Sequence, residues 1–224
     1  MPLDTQRVRA LCFDVDGTLS DTDDLWIHRF ENFLRLLRFV FPQRKAQPLA
    51  RWLVMGLETP GNVAYSALDR MHMDDDLARL YNYISKRGIG RKPSNFWLVQ
   101  GVQDMLQQVA QRYPLAIVSA RDEYGTRSFL DQFGLGDLFP VIATSQTCSY
   151  TKPFPDPVLW AAERLGVPPQ ECVMVGDTTV DIRAGKAAGA QTVGVLCGFG
   201  RRNELERAGA DLIIDNTADL KEIL

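Results

Sequence analysis

The chain has 224 residues, with 25 basic and 28 acidic side chains, a formal net charge of −3, 46% apolar residues and 24% charged ones. This is ordinary globular composition: it excludes a fibrous or disordered protein and supplies no basic excess with which to hold a nucleic-acid backbone. No apolar run approaches the ~20 residues that span a bilayer, since the greasiest stretch, 34–41, is broken by Arg35 and Arg38. The opening MPLDTQRVRALCF has no apolar leader core, which predicts a cytoplasmic protein without a membrane partner. Four scattered cysteines (Cys12, Cys148, Cys172, Cys197) and two histidines (His28, His72) offer neither a zinc spacing nor a disulfide framework.

The elements follow in chain order. Residues 8–13 (VRALCF) read as a buried strand running into an acidic turn, Asp14-Val15-Asp16-Gly17-Thr18. From Asp23 the apolar spacing changes to three and four residues (Trp26, Phe30, Phe33, Leu34, Leu37), an amphipathic helix stopped by Pro42. Residues 46–92 also read as helical, with breaks at Gly56, Pro60-Gly61 and Gly88 to Pro93. After Pro93, helices and strands alternate. Helices at 101–112, 123–133, 156–165, 179–188 and 203–208 lead to strands at 115–119, 141–144, 172–176, 192–196 and 212–215. This alternation predicts an α/β fold, a doubly wound parallel sheet with helices on both faces. The block 22–92 is too long for a connecting loop and is expected to be an inserted helical cap, leaving 1–21 and 93–224 as a Rossmann-like core.

The polar residues fall where such a sheet places its ligands. Asp14 and Asp16 follow the first strand, Ser119 ends the second, Lys152 lies after the third, and Asp177 and Asp181 follow the fourth. All are then at the carboxyl ends of strands, where open α/β sheets bind ligands. Several carboxylates in one volume call for a counter-charge that one lysine cannot supply, and a hard divalent cation such as Mg²⁺ fits oxygen donors. Metal and lysine together would attract a phosphate, with Ser119 donating to its oxygens. A carboxylate can attack phosphorus to form an aspartyl-phosphate, and a second carboxylate two residues on can carry the proton. A calcium loop of the EF-hand type is excluded because Gly17 stands fourth from Asp14 rather than sixth, and no GxxxxGK[ST] phosphate loop exists.

Four segments, DVDGT at 14–18, Ser119 in LAIVSA, Lys152 in KPFPDP and GDTTVD at 176–181, together resemble the haloacid dehalogenase superfamily, and within it the phosphoglycolate phosphatase-like members with a helical cap. The resemblance implies a Mg²⁺-dependent phosphatase acting on a small phosphorylated metabolite, with Asp14 as nucleophile and Asp16 as general acid/base. It implies a metal group drawn from Asp14, Asp16 (through its main-chain carbonyl), Asp177 and Asp181, the last also able to support Lys152. Ser119 and Lys152 would hold the phosphoryl group, with Thr18 ordering the loop beside them. Asp16 points to phosphoryl transfer, because members that dehalogenate carbon lack it. The sequence departs from the pattern at Ala120-Arg121, where Arg121 either reaches the phosphate side of the site or begins a helix. Residues 55–59 are the candidate specificity loop, and Glu58 there would disfavour a strongly anionic leaving group. The alternatives are a phosphomutase of the β-phosphoglucomutase type and an inactive binding protein of the same fold. A receiver-type phosphoacceptor domain would carry its aspartate after a middle strand and lack the insert.

Overall fold

The computed structural model describes residues 2–21 and 96–224, which fall within one compact unit formed by Met1–Thr22 and Asn95–Leu224. The expected cap at 22–92, with its aromatic stripe, His28 and the 55–59 loop, lies outside the described residues.

Six strands form one sheet: β1 (Ala10–Phe13), β2 (Leu115–Val118), β3 (Val141–Ala143), β4 (Cys172–Gly176), β5 (Gln191–Val195) and β6 (Leu212–Ile214). Their order is β3-β2-β1-β4-β5-β6 and every pairing is parallel. Among the described residues the helices are α1 (Val102–Val109), α2 (Glu123–Phe133), α3 (Asp156–Leu165), α4 (Thr179–Ala187) and α5 (Arg202–Ala208). The chain winds outward from β1 to β2 and β3, then returns to β4 on the other side of β1. That places the topological switch point at the carboxyl ends of β1 and β4, where such sheets hold their ligands.

Strand alternation divides the core into two layers. Leu11 and Phe13 of β1, Ile117 of β2 and Val173 and Val175 of β4 face Val102, Met105, Leu106 and Val109 of α1 and Phe129 and Leu130 of α2. The α1 set repeats at helical spacing, one stripe against the sheet. On the opposite face Ala10, Cys12, Ala116, Val118 and Met174 meet Val158, Ala161 and Ala162 of α3 and Ala184 of α4. This second layer is built from small side chains, so α3 and α4 approach the sheet closely. Cys12 is one of its buried members, and all four cysteines are free thiols.

The sheet is the one expected from the sequence, and the differences lie at element ends. The helix expected to run to 112 stops at Val109, and residues 110–112 continue as tighter turns, with Gln111 donating to Gln108 at 3.3 Å and Arg112 to Val109 at 3.0 Å, before Pro114 ends the run. A 3-10 segment, Thr217–Glu222, follows β6 where no element was expected. It is capped by Asn216, whose side chain accepts from the Ala218 N–H at 2.9 Å, and it buries Leu220 against the α1 layer. Six residues with two apolar members carry too little periodicity to be read as an element. No helix among the described residues is long and apolar enough to cross a membrane.

Candidate active site

Asp14 is the first residue past β1, and its N–H continues the ladder to the Val175 carbonyl at 2.9 Å. The chain then turns sharply: Leu19 and Ser20 donate to the Val15 carbonyl at 3.0 and 2.8 Å, and Gly17 donates to Ser20 at 2.9 Å. Gly17 takes φ +74°, and a Cβ there would lie 2.3 Å from Asp177 Oδ2. Glycine is therefore required twice over, by backbone sign and by the closeness of Asp177. Ser119, just past β2, still donates its N–H to Ala143 at 2.9 Å, so its side chain is aimed by the sheet itself.

Lys152 comes from the loop after β3 and is buried beneath the strand ends. Its Nζ lies 2.8 Å from Asp14 Oδ1 and 2.5 Å from Asp181 Oδ1. Asp181 opens α4 as part of a capping box: its Oδ2 accepts from the Thr178 N–H at 3.0 Å and the Thr178 hydroxyl at 2.7 Å. Both oxygens of Asp181 are thus engaged, one with the lysine and one with the helix start. Carboxylate oxygens of Asp14, Asp177 and Asp181 all lie within 4.8 Å of one another, and all three residues are buried. Four carboxylates, counting Asp16, face the two cations Lys152 and Arg121. Oxygen donors, closeness and an excess of negative charge fit a hard divalent cation.

The electrostatics agree with that excess. Burial pushes the Asp14 carboxyl up to about 7; Lys152 opposes the rise, and the neighbouring Asp181 and Asp16 add to it. Burial by itself would lower the Lys152 ammonium, but Asp14 and Asp181 outweigh it and hold the lysine well above its ordinary value. The lysine is therefore a permanent cation, while Asp14 is poised between its two forms near neutrality until further positive charge arrives.

Every sequence-predicted site residue among Asp14, Asp16, Thr18, Ser119, Arg121, Lys152, Asp177 and Asp181 stands at this carboxyl edge, and they sort into two groups. Thr18 is buried, with its hydroxyl 3.4 Å from Asp177 Oδ1. The Asp16 carboxylate is not a member of the three-aspartate group: it receives Arg121 Nε on Oδ2 at 3.0 Å and Arg121 Nη2 on Oδ1. Ser119 Oγ accepts the Arg121 N–H at 3.1 Å, which leaves the hydroxyl hydrogen available to donate.

Sequence reasoning missed the loop after β5. The Phe199 N–H donates to Asp177 Oδ2 at 2.8 Å. A Cβ at Gly198 would fall 2.2 Å from that same oxygen and 2.4 Å from the Gly17 carbonyl, and one at Gly200 would fall 1.8 Å from the Asp177 carbonyl. The glycines of CGFG let the loop close over Asp177 and present a main-chain donor to it. Thr217 adds a brace, its hydroxyl donating to the Thr18 carbonyl at 2.7 Å. The only sequence signal for this support was two glycines directly past a strand. A separate cleft of about 590 Å³, lined by residues including Arg127, Trp160 and Arg164, lies at the start of β3 and shares no residue with the cluster.

Comparison with known proteins places these features. The model of the family described as haloacid dehalogenase-like hydrolase matches residues 11–195. The chain is 28% identical over 221 residues to the pyrophosphatase PpaX of Bacillus velezensis, covering 97% of each chain. It is 29% identical over 219 residues to the phosphoglycolate phosphatase of Pseudomonas putida, covering 96% of this chain and 78% of that one. Among solved structures, a family hydrolase from Deinococcus radiodurans with bound phosphate and sodium superposes with a TM-score of 0.69 at 24% identity, covering 96% of this chain and 93% of that one, a likeness of fold.

Proposed function

This chain belongs to the haloacid dehalogenase-like hydrolase family, and on that premise we propose that it is a Mg²⁺-dependent phosphatase that hydrolyses a small phosphate monoester through an aspartyl-phosphate on Asp14. The observation that carries the reading is the buried Lys152 bridging Asp14 and Asp181, with Asp177 alongside, at the switch point of the sheet. A structural ion pair needs one carboxylate per lysine; a surplus of buried carboxylates is retained where a cation and a phosphate are to be bound.

In this reading an Asp14 carboxylate oxygen attacks phosphorus, the bond from phosphorus to the ester oxygen breaks, and that oxygen takes a proton from Asp16. Asp16, now ionised, then takes a proton from water as the water oxygen attacks the same phosphorus. The bond between Asp14 and phosphorus breaks and inorganic phosphate leaves. Lys152 and the Ser119 hydroxyl donate to the phosphoryl oxygens as charge builds on them, and Thr18 keeps the loop in register. Asp14, Asp177 and the Asp16 main-chain carbonyl would hold the Mg²⁺, while Asp181, both of whose oxygens are engaged, backs Lys152. When bound, the ion supplies the positive charge that keeps Asp14 ionised and draws in the phosphate dianion.

Choice of ester is assigned to the inserted segment 22–92. The named relatives suggest two small leaving groups, phosphate and glycolate, within a cytoplasmic metabolite pool. The test is phosphate release from p-nitrophenyl phosphate, phosphoglycolate, sugar phosphates, nucleotides and pyrophosphate, with Mg²⁺ or EDTA, for wild type and Asp14→Asn. Turnover that requires Mg²⁺ and falls by about 10³-fold or more in the variant is expected. Retained turnover in Asp14→Asn overturns the aspartyl-phosphate, and turnover only of a sugar phosphate given its bisphosphate, without phosphate release, would make the chain a mutase.

A further inference from the structure

Arg121 is the residue that ties the two groups of the site together. Its guanidinium meets both oxygens of Asp16, through Nε on Oδ2 at 3.0 Å and through Nη2 on Oδ1, the side-on fork that fixes a carboxylate in plane as well as in distance. Its main-chain N–H donates to Ser119 Oγ at 3.1 Å, and its carbonyl accepts the Ser145 N–H at 3.1 Å. One residue at the end of the second strand thus holds a carboxylate of the first loop, 105 positions earlier, and the hydroxyl two positions before it.

The arginine is itself held. Its Cζ lies 4.9 Å from the centre of the Phe96 ring. The Phe96 main chain is pinned by Gln132 at both polar atoms, its N–H donating to Oε1 at 3.0 Å and its carbonyl accepting from Nε2 at 2.8 Å. Gly125 leaves the space the arginine stem needs: a Cβ there would stand 3.0 Å from Arg121 Cδ and 3.2 Å from Cγ. The side chain is 15% exposed, against 33% for the Asp16 carboxylate it holds, so the arginine is the anchored partner and the aspartate the anchored group. The side-on edge of the guanidinium, Nε and Nη2, is filled by the acid, while Nη1 is buried and has no hydrogen-bond partner among the described residues.

We propose that Arg121 is a positioning residue that fixes the Asp16 carboxylate for proton transfer to the leaving oxygen. The inference rests on the reading of Asp16 as the group that carries the proton, and it assigns the Nε–Nη2 edge of Arg121 to that step.

The test uses the full chain and a series of aryl phosphates, from p-nitrophenyl to phenyl to p-methoxyphenyl, whose leaving groups need progressively more help from a proton. The readout is kcat/KM against leaving-group acidity for wild type, Arg121→Ala, Arg121→Lys, Asp16→Asn and the double variant Asp16→Asn with Arg121→Ala. In Arg121→Ala the loss should be about tenfold greater for p-methoxyphenyl phosphate than for p-nitrophenyl phosphate, the same steepening that Asp16→Asn shows. The double variant should be no slower than Asp16→Asn alone, because the arginine acts only through the aspartate. Arg121→Lys should recover part of the loss on the poor leaving groups, and it serves as the second variant if alanine weakens the fold. An equal loss across the series carried in KM, or a double variant slower than Asp16→Asn by the full Arg121→Ala factor, overturns the proposal. A flat response in Asp16→Asn would instead overturn the role of Asp16, and activity in Asp14→Asn the covalent step, so the three failures are distinguishable.

Discussion

Two lysine–aspartate clusters stand at opposite ends of the same sheet and reach opposite states. At the amino end, where β5 and β6 begin, Lys186 Nζ pairs with Asp211 Oδ2, and Thr192 donates its N–H at 2.8 Å and its hydroxyl at 3.1 Å to the same carboxylate. Burial would raise this acid, but the hydrogen bond from Lys186 and those from Thr192 outweigh it and hold Asp211 below the ordinary carboxylate value. At the carboxyl end, Lys152 is shared by Asp14 and Asp181, and burial wins: Asp14 rises to about 7. The amino end balances one cation against one anion with donors to spare, which is how a fold is stabilised. The carboxyl end leaves negative charge uncompensated, at a cost that a bound cation would offset.

The strongest way to break the contrast is to remove the shared cation. Lys152→Met keeps the stem volume and leaves Asp14 and Asp181 facing each other in a buried volume. Phosphate release should fall by about 10³-fold, since a donor to the developing phosphoryl charge is lost. Urea unfolding at pH 8 should show a stability loss of about 4 kcal/mol, the scale on which a broken buried pair destabilises. A variant that keeps wild-type stability would mean that Lys152 had not been compensating the cluster.

The converse change sharpens it. The folded state without metal holds the Asp14 proton more tightly than the unfolded chain, whose carboxylate titrates near ~4. Its contribution to stability is therefore complete below about pH 4 and is lost as the pH rises through about 7. Asp14→Asn removes the charge while Asp181 still pairs with Lys152. In EDTA the variant should be the more stable protein at pH 8, by about 2 kcal/mol, and the advantage should vanish towards pH 4. Added Mg²⁺ should stabilise the wild type and leave the variant almost unchanged. A variant less stable than wild type at pH 8 in EDTA would show that Asp14 is a structural partner of Lys152.

How much of this the sequence disclosed follows from where the signals reside. The strands were legible because each is a short apolar run that ends at a polar residue, and Asp14, Ser119, Lys152 and Asp177 were legible because parallel topology sends all four strand ends to one edge. The support around them was not. Asp177 is held by the Phe199 main-chain N–H, and a backbone donor leaves no mark in side-chain identity beyond the glycines that admit it. Arg121 stood out as a departure in the second motif, yet its partner lies 105 residues away in the loop after another strand, and no local pattern encodes that distance. The Lys186–Asp211 pair was invisible for the same reason: both are ordinary charged residues until the packing of α4 beside the start of β6 brings them together.

That pair gives the smallest effect and the cleanest sign. A carboxyl held below its ordinary value adds stability that is fully present above the unfolded value near ~4 and lost as the pH falls through its lower folded value. Asp211→Asn should therefore destabilise by about 1 kcal/mol between pH 6 and 8, on the scale of a hydrogen-bonded pair near the surface. The gap from wild type should close as the pH drops towards 3, measured as urea midpoints across that range. Both gaps open as the pH rises, but with opposite sign: at Asp14 the asparagine variant is the more stable protein, whereas at Asp211 the wild type is. A gap at Asp211 that stays constant down to pH 3 would mean the asparagine had disturbed the packing of β5 on β6, and that the amino end owes its stability to shape rather than to a balanced charge.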